Sequence, residues 1–555
     1  VKYFLPLASL LLALPLTAQN YRDVAELDSG MNSPYSTSVI ATEGEHTVVV
    51  WQEDTTKELW SVTSVSQGTS FNDKVRIDND STSAKKYLDD IHNLAVWQSN
   101  IYMVWRDERN GADDVYFTTS TDGGFTFSGD TLLDKGGPNS CYDVEMVNWE
   151  DNLYVLSMTD DGDEGIWFTS SNDGGSTWTT AMRLDPALGD VDSISMTNDE
   201  DTIYVAYNDD RNATYNEDIF VRVSTDGGLT WSADTQVNTD GDAVYPVIRC
   251  GNDAAVVTWL ADKTATSSSD EETWAAFTTD TGATWGANSM VSTGADADNM
   301  SMSWVGDSIG GICNIAWEDN RNGSDEVFVA SSDDFGGSWH EASFGAGAYP
   351  VIESDINYVG VAFNGGSYPE TAAMSVSSDG GLTRWSPIAD LGNGTGGDTD
   401  YMALCYDEIY ESFNVSWNND NTGANRVYAG GCRAQTLTMN GTFQAGQTID
   451  FSVSDFGINN TGMQFRVAGS FTDANPILLS DGIRLLYIDN DIAFQTTKNM
   501  PELRGTIDGS GNGATSSVTV PSVVTPGMDM YWIAVTIDFG ANVASITDPL
   551  HVTAS

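Results

Sequence analysis

The chain has 555 residues, with 23 Lys and Arg against 81 Asp and Glu, a formal net charge of −58. Nucleic acid is excluded as a partner, because phosphate binding needs a basic footprint, and anionic membrane surfaces are disfavoured for the same reason. Hydrophobic residues at 40% and 17 Trp exclude a disordered acidic chain, so a globular, acid-coated protein is expected.

Residues 1–19, VKYFLPLASLLLALPLTAQ, place one Lys before an apolar run and then small residues, the layout of a secretory signal peptide with cleavage near Ala18 or Gln19. The run is shorter than the ~20 residues a membrane span needs, and no later segment reaches that length. A secreted protein is therefore expected, extracellular, at the cell surface or periplasmic, with no transmembrane segment after cleavage. The five cysteines are odd in number and lie at wide spacing with no CxxC pair, so no zinc site is expected and at least one thiol is left unpaired.

Downstream, one octapeptide pattern recurs: Ser or Thr, any residue, Asp, any, Gly, any, Thr or Ser, aromatic. It reads STDGGFTF from Ser120, SNDGGSTW from Ser171, STDGGLTW from Ser224, TTDTGATW from Thr278 and SDDFGGSW from Ser332. SSDGGLTRW from Ser377 carries one inserted residue, and SVSQGTSF from Ser64 is a degenerate copy. The aspartates Asp122, Asp173, Asp226, Asp280, Asp334 and Asp379 are 51, 53, 54, 54 and 45 residues apart, a period of one supersecondary unit. Each period holds about four short alternating runs rich in Val, Ile, Tyr, Phe and Trp, which predicts a four-stranded propeller blade. The Asp-Gly-Gly turn is placed between strands three and four, where Gly permits positive φ and Asp bonds nearby backbone N–H groups. The aromatic that follows is expected to pin the turn against its own blade.

First strands begin near Tyr35, Tyr87, Tyr142, Asp192, Tyr245, Asn299, Tyr349 and Tyr401. The count favours eight blades, with seven or six as alternatives. The last unit lacks a fourth strand, and YRDVAELDSG, residues 21–30, resembles the fourth strands of other units. Pairing it with the last blade would close the ring over residues 20–433 and leave no open edge.

These octapeptides resemble the Asp-box, or BNR repeat, of the sialidase superfamily of β-propellers, and the resemblance spans roughly residues 21–433. It implies that each box is a structural turn at the periphery, on the face away from ligands. It implies no single activity, because functions are grafted onto folds. An active sialidase of this kind would carry three arginines for the substrate carboxylate, the first in an Arg-Ile-Pro motif, with a Tyr–Glu nucleophile pair and an Asp acid/base. No Arg-Ile-Pro occurs here, and sialidases have six blades, so classical sialidase activity is not expected.

On the face opposite the boxes, three loops between strands two and three are near-copies: WRDERNGADD from Trp105, YNDDRNATYNED from Tyr207 and WEDNRNGSDE from Trp317. Arg109, Arg211 and Arg321 could form a crown that binds a sugar or a carboxylated ligand through bidentate contacts; pairing with flanking acids is the alternative. Tyr87, Tyr142, Tyr245, Tyr349 and Tyr401 open innermost strands and could line the channel mouth as carbohydrate platforms, with packing between blades as the alternative. The third unit breaks the loop pattern with Asp160, Asp161, Asp163 and Glu164, an oxygen-rich set that suits calcium, against a solvated acidic loop. No cofactor beyond calcium is expected, and no catalytic pair can be chosen among so many acids.

From residue 434 the period stops, and strands such as TIDFSVS, MQFRVAGSF and MYWIAVTIDFG predict an immunoglobulin-like β-sandwich over 434–555, loosely resembling CARDB-type adhesion modules. The fold class is thus all-β: an Asp-box propeller followed by a small sandwich. The leading functional expectation is recognition of a glycan or an extracellular protein. A glycoside hydrolase at the channel mouth is second and a structural surface protein third; the oligomeric state is left open.

Overall fold

Short apolar runs punctuated by Asp, Asn and Gly become antiparallel strands throughout. In the third repeat, Ser140–Trp149, Asn152–Asp160, Gly165–Ser171 and Met182–Arg183 pair in sequence order as one four-stranded sheet. The computed structural model describes residues 38–554 apart from short stretches, the longest at 263–270 and 392–398, and before residue 38 only 16–17 and 25–28. Among these residues, sheets of the same plan begin at Val39–Glu43, Leu94–Trp97, Ser140–Trp149, Val191–Asp199, Asp242–Gly251 and Ala297–Gly306. The long strand His340–Ser354 ends one sheet and opens the next, and a final sheet begins at Thr399–Asp407. Ala25–Glu26 supplies the outer strand of that last sheet, with Ala25 opposite Ala429. Each first strand packs beside that of the following sheet, and Val39–Glu43 packs beside Thr399–Asp407. The sheets therefore close into a β-propeller with the first strands innermost.

The hydrophobic core is divided into wedges between successive sheets. Leu156 and Phe168 of the third sheet meet Met196 and Tyr207 of the fourth, and Tyr204 and Val221 of the fourth meet Val257 and Trp259 of the fifth. Strands covered on both faces need apolar residues on both faces, which explains why the middle strands read as nearly continuous hydrophobic runs. No disulfide joins any of the five cysteines, and burial pushes the thiol of Cys250 up to about 12.

The six Asp turns share one hydrogen-bond pattern. At Asp226, Oδ1 accepts from Ser224 Oγ at 2.9 Å and from the Thr230 N–H at 2.8 Å, while Oδ2 accepts from Thr230 Oγ1 at 2.6 Å. These donors hold the carboxyl below the usual carboxylate range, the Thr230 hydroxyl having the largest effect. Replacing Asp226 with Ala removes three acceptor contacts from one turn. It is expected to cost about 1 kcal/mol in denaturant unfolding, as loss of a helix cap does.

The turn aromatics extend the sequence expectation, because Trp178, Trp231 and Trp385 each meet a ring of the preceding sheet as well as packing at the core beside their own. Trp178 meets Phe117 edge-on at 5.0 Å, Trp231 meets Phe168 at 5.1 Å, and Trp385 meets Phe344 at 4.9 Å. The cause is close approach: Gly228 has φ +82°, and a Cβ there would stand 2.2 Å from Phe168 of the neighbouring sheet. These three turns thus clamp adjacent sheets together.

The chain divides at Gly431/Cys432, two residues before the expected boundary. In the second unit, Thr436–Gly441 and Thr448–Ser454 form one sheet with Gly513–Ala514 and Val518–Thr519. A second sheet sets Gln464–Ser470 beside Asp529–Ile537. Phe451 of the first sheet and Phe465, Val467 and Trp532 of the second share one buried core, so the unit is a β-sandwich. A short α-helix, Ile492–Thr497, lies outside the all-strand expectation; Thr497 Oγ1 accepts from the Gly469 N–H at 2.8 Å, tying the helix to the second sheet. The signal-peptide expectation falls outside the described residues except for Leu16–Thr17, which pair with Met439 and Thr438. No described helix is long and apolar enough to cross a membrane.

Candidate functional site at the channel mouth

The innermost strands do not run straight to the mouth of the channel. Pairing passes from Val191–Asp209 to Ile194–Tyr207 in the fourth sheet, so Asp192 and Ser193 together face Asn208. The same slip leaves Tyr245 and Pro246 bulged in the fifth, Asn299 and Met300 in the sixth, and Tyr349 and Pro350 in the seventh. Tyr142 is the extra residue of a bulge in the third. Tyr245, Asn299 and Tyr349 take positive φ of 52°, 48° and 51°, a region that bulky residues rarely enter. Bulges of this kind re-aim side chains. Here they leave Tyr142, Tyr245 and Tyr349 at 59%, 59% and 52% exposure, where packing between sheets would have buried them.

Two cavities lie along this rim. The first, about 390 Å³, is lined by Tyr142, Met158, Asp192, Asn208, Glu217 and Tyr245, among others. The second, about 670 Å³, includes Tyr245, Arg249, Asp298, Asn299, Tyr349 and Glu353. Tyr245 belongs to both. Tyr87 and Tyr401 occupy strand positions equivalent to the other tyrosines, opposite Arg106 and next to Asp400 respectively. Their side chains are outside the described residues.

The first cavity holds a carboxyl pair. Burial, and then a hydrogen bond with Asp192, push Glu217 up to about 9, with the charges of Asp242 and Asp210 acting in the same direction. Glu217 therefore keeps its proton at neutral pH. Ser193 Oγ donates to Asn208 Oδ1 at 2.7 Å, and Asn208 Nδ2 donates to Glu217 Oε2, so a relay of short polar side chains fixes the acid. The Glu217 N–H donates to Asp242 Oδ1 at 2.8 Å.

In the sixth sheet Glu318 stands where the fourth has Asn208. It accepts from Asn299 Nδ2 at 2.6 Å and from the Tyr349 N–H at 2.8 Å, holding two bulges from two sheets. Arg106, at the same place in the second sheet, donates to the Cys141 carbonyl beside the Tyr142 bulge at 3.3 Å. These supporting residues were missed in the sequence. The available signal was that each follows a repeated aromatic (Trp105, Tyr207 or Trp317) yet differs between repeats.

The arginine crown is not brought to the mouth. Arg109 bonds Asp107 and Asp130 at 2.5 and 2.6 Å and lies 3.9 Å over Tyr116. Arg211 bonds Asp209 and Asp234 at 2.7 and 2.6 Å and lies 3.8 Å over Phe220. Arg321 pairs with Asp319 and with Glu341 and covers Phe328. Each guanidinium thus spans its own sheet from strand two to the start of strand four, and none lines either cavity. Asp161, Asp163 and Glu164 lie outside the described residues, as does the side chain of Asp160, whose backbone ends a strand. Among the described residues no group of three or more metal-ligating side chains forms.

No family model matches the chain, and no curated protein matches it. Solved structures similar to it include an α-L-arabinofuranosidase of Fusarium graminearum (family GH93), at 13% identity over 50% of this chain and 89% of that one, TM-score 0.35. A polysaccharide lyase of family PL25, an ulvan lyase, matches at 11% identity over 68% and 98%, TM-score 0.41. A leech intramolecular trans-sialidase matches at 9% identity over 73% and 90%, TM-score 0.36. At these identities and TM-scores none of them lends this chain an activity.

Proposed function

We propose that this protein acts outside the cell as a glycan-recognition propeller, binding sugar at the channel mouth without classical sialidase activity. The observation that carries the reading is the set of exposed rings, Tyr142, Tyr245 and Tyr349, raised from backbone bulges around two cavities of small-ligand size. Exposed aromatic faces with a hydroxyl at the tip stack on sugar rings and hydrogen-bond their substituents. Strained backbone held by Glu318 at such a place is a feature of functional sites rather than of packing. The apolar run at residues 1–19 supports export.

A broad glycan panel tests the reading: a folded protein that binds no member of it overturns the proposal. Tyr142→Ala and Tyr245→Ala are each expected to weaken binding by about threefold to tenfold, the worth of one aromatic contact. Unchanged affinity in both would place the ligand elsewhere.

A second reading, glycan cleavage in the first cavity, is favoured by one specific observation. Glu217 is held protonated beside Asp192, which is the state a general acid needs. Release of reducing ends from a polysaccharide panel, lost in Glu217→Gln, would establish it.

A further inference from the structure

We propose that the first cavity selects a glycan carrying protonated amines. This rests on the glycan reading above and adds the charge of the ligand. Asp192 and Glu217 line the cavity, and the charges of Asp242 and Asp210 act on Glu217 as well. The Tyr245 phenol is set among Glu271, Asp298, Glu217 and Asp192. Among the described residues no Lys or Arg lines this cavity; Arg249, on the neighbouring one, donates to the Ile248 carbonyl at 2.9 Å.

The contrast with the rest of the propeller sharpens the point. The chain has 23 basic residues for 81 acids, and several of the basic residues pair with buried or half-buried acids of the loops. Asp107 and Asp130 are matched by Arg109, Asp209 and Asp234 by Arg211, and Asp114 by Lys135. Among the described residues, no such cation pairs with Asp192, Asp210, Glu217 or Asp242. Neutral donors relieve them instead: Asn208 Nδ2 to Glu217, the Glu217 N–H to Asp242 and the Asp190 N–H to Asp210. A charged amine entering beside Glu217 would displace its proton to solvent and pair with the carboxylate so formed.

Two features make the occupant a sugar rather than an isolated cation. Tyr142 and Tyr245 give the cavity two exposed rings that can take the faces of a pyranose, and the same ring faces attract an ammonium within about 6 Å. The volume of about 390 Å³ is that of a site for a compact ring, not a thin side chain. The same charge distribution repels uronate-bearing or sulfated glycans and sialic acid, whose recognition calls for arginine or lysine.

Titration calorimetry of the full chain at pH 6 and 0.1 M salt decides the matter, with four probes: hexamers of β-1,4-glucosamine, of its N-acetylated form and of galacturonate, and hexalysine. The glucosamine hexamer is expected to bind at least tenfold more tightly than the N-acetylated one, with no detectable galacturonate binding and an affinity that falls steeply with salt. Asp192→Asn/Glu217→Gln, nearly isosteric and checked for fold by circular dichroism, is expected to lose the tenfold preference. Equal or tighter binding of the neutral or acidic hexamer overturns the inference and leaves the glycan reading standing. So does a preference that survives in the double variant. Hexalysine binding as tightly as the glucosamine hexamer overturns it in favour of a basic peptide. Failure of every glycan to bind the folded protein removes the reading beneath it.

Discussion

Lys86→Met is expected to destabilise the propeller by about 3–5 kcal/mol, the usual result of removing one partner from a buried ion cluster. Lys86 is 2% exposed, and its Nζ lies 3.2 Å from Asp80, 3.4 Å from Asp78 and 3.9 Å from Asp107. Asp78 and Asp80 follow the outer strand of the first sheet, whereas Asp107 ends the second strand of the second, so one ammonium joins two sheets. Its backbone carbonyl also accepts from Gln52 Nε2 of the first sheet at 2.8 Å. Methionine keeps the volume but leaves three buried carboxylates facing one another, with Arg76 and Arg109 attached to Asp78 and Asp107 respectively. Equilibrium unfolding in urea measures the effect. Because the cluster is buried, 0.5 M salt should not rescue the variant; a loss below about 1 kcal/mol would mean that water already reaches these acids.

Lys86 also marks how far the sequence could be read. Its counterparts in other sheets, opposite the same strand position, are Val191, Ala297 and Thr399. A single basic residue at a place otherwise held by small or apolar side chains was visible, but its meaning depends on Asp78 and Asp80 arriving from the previous sheet. The Asp turns were legible because their chemistry is local: donor, acceptor and glycine lie within eight residues. The destination of Trp178 and Trp231 was not, since it depends on how closely the neighbouring sheet approaches Gly175 and Gly228. The same division holds at the site. The tyrosines opening first strands could be named from their spacing. Their exposure comes from bulges that one sequence does not announce, and the pairing of Asp192 with Glu217 joins strand one of a sheet to the start of its strand three. The arginines were legible through repetition: a loop copied three times argues for a structural pairing with flanking acids, and here each guanidinium braces its sheet across Tyr116, Phe220 or Phe328.

Glu217→Gln is expected to raise stability at alkaline pH and to leave it unchanged in acid. Glu217 is raised from the ordinary 4.5 to about 9, so between those values the native protein holds a proton that the unfolded chain has released. Stability contributed by this group is therefore fully present below about pH 4.5 and is lost as pH rises toward 9. Glutamine imitates the protonated acid and cannot ionise, so its curve lacks that decline. At full burial the difference would be several kcal/mol; the site is half-exposed, and screening reduces the expected gain at pH 9 to about 1–2 kcal/mol. Thermal unfolding of both proteins from pH 4.5 to pH 9 should give midpoints that coincide at the acid end and separate steadily toward alkali; parallel curves would show that Glu217 titrates normally. Asp192→Asn then separates the causes. Burial outranks the contact with Asp192 in raising Glu217, so removing the neighbouring charge should flatten the decline only in part. If it abolishes the decline altogether, the proton is held by the pair and not by the cavity, and a ligand that separates the two carboxyls would release it.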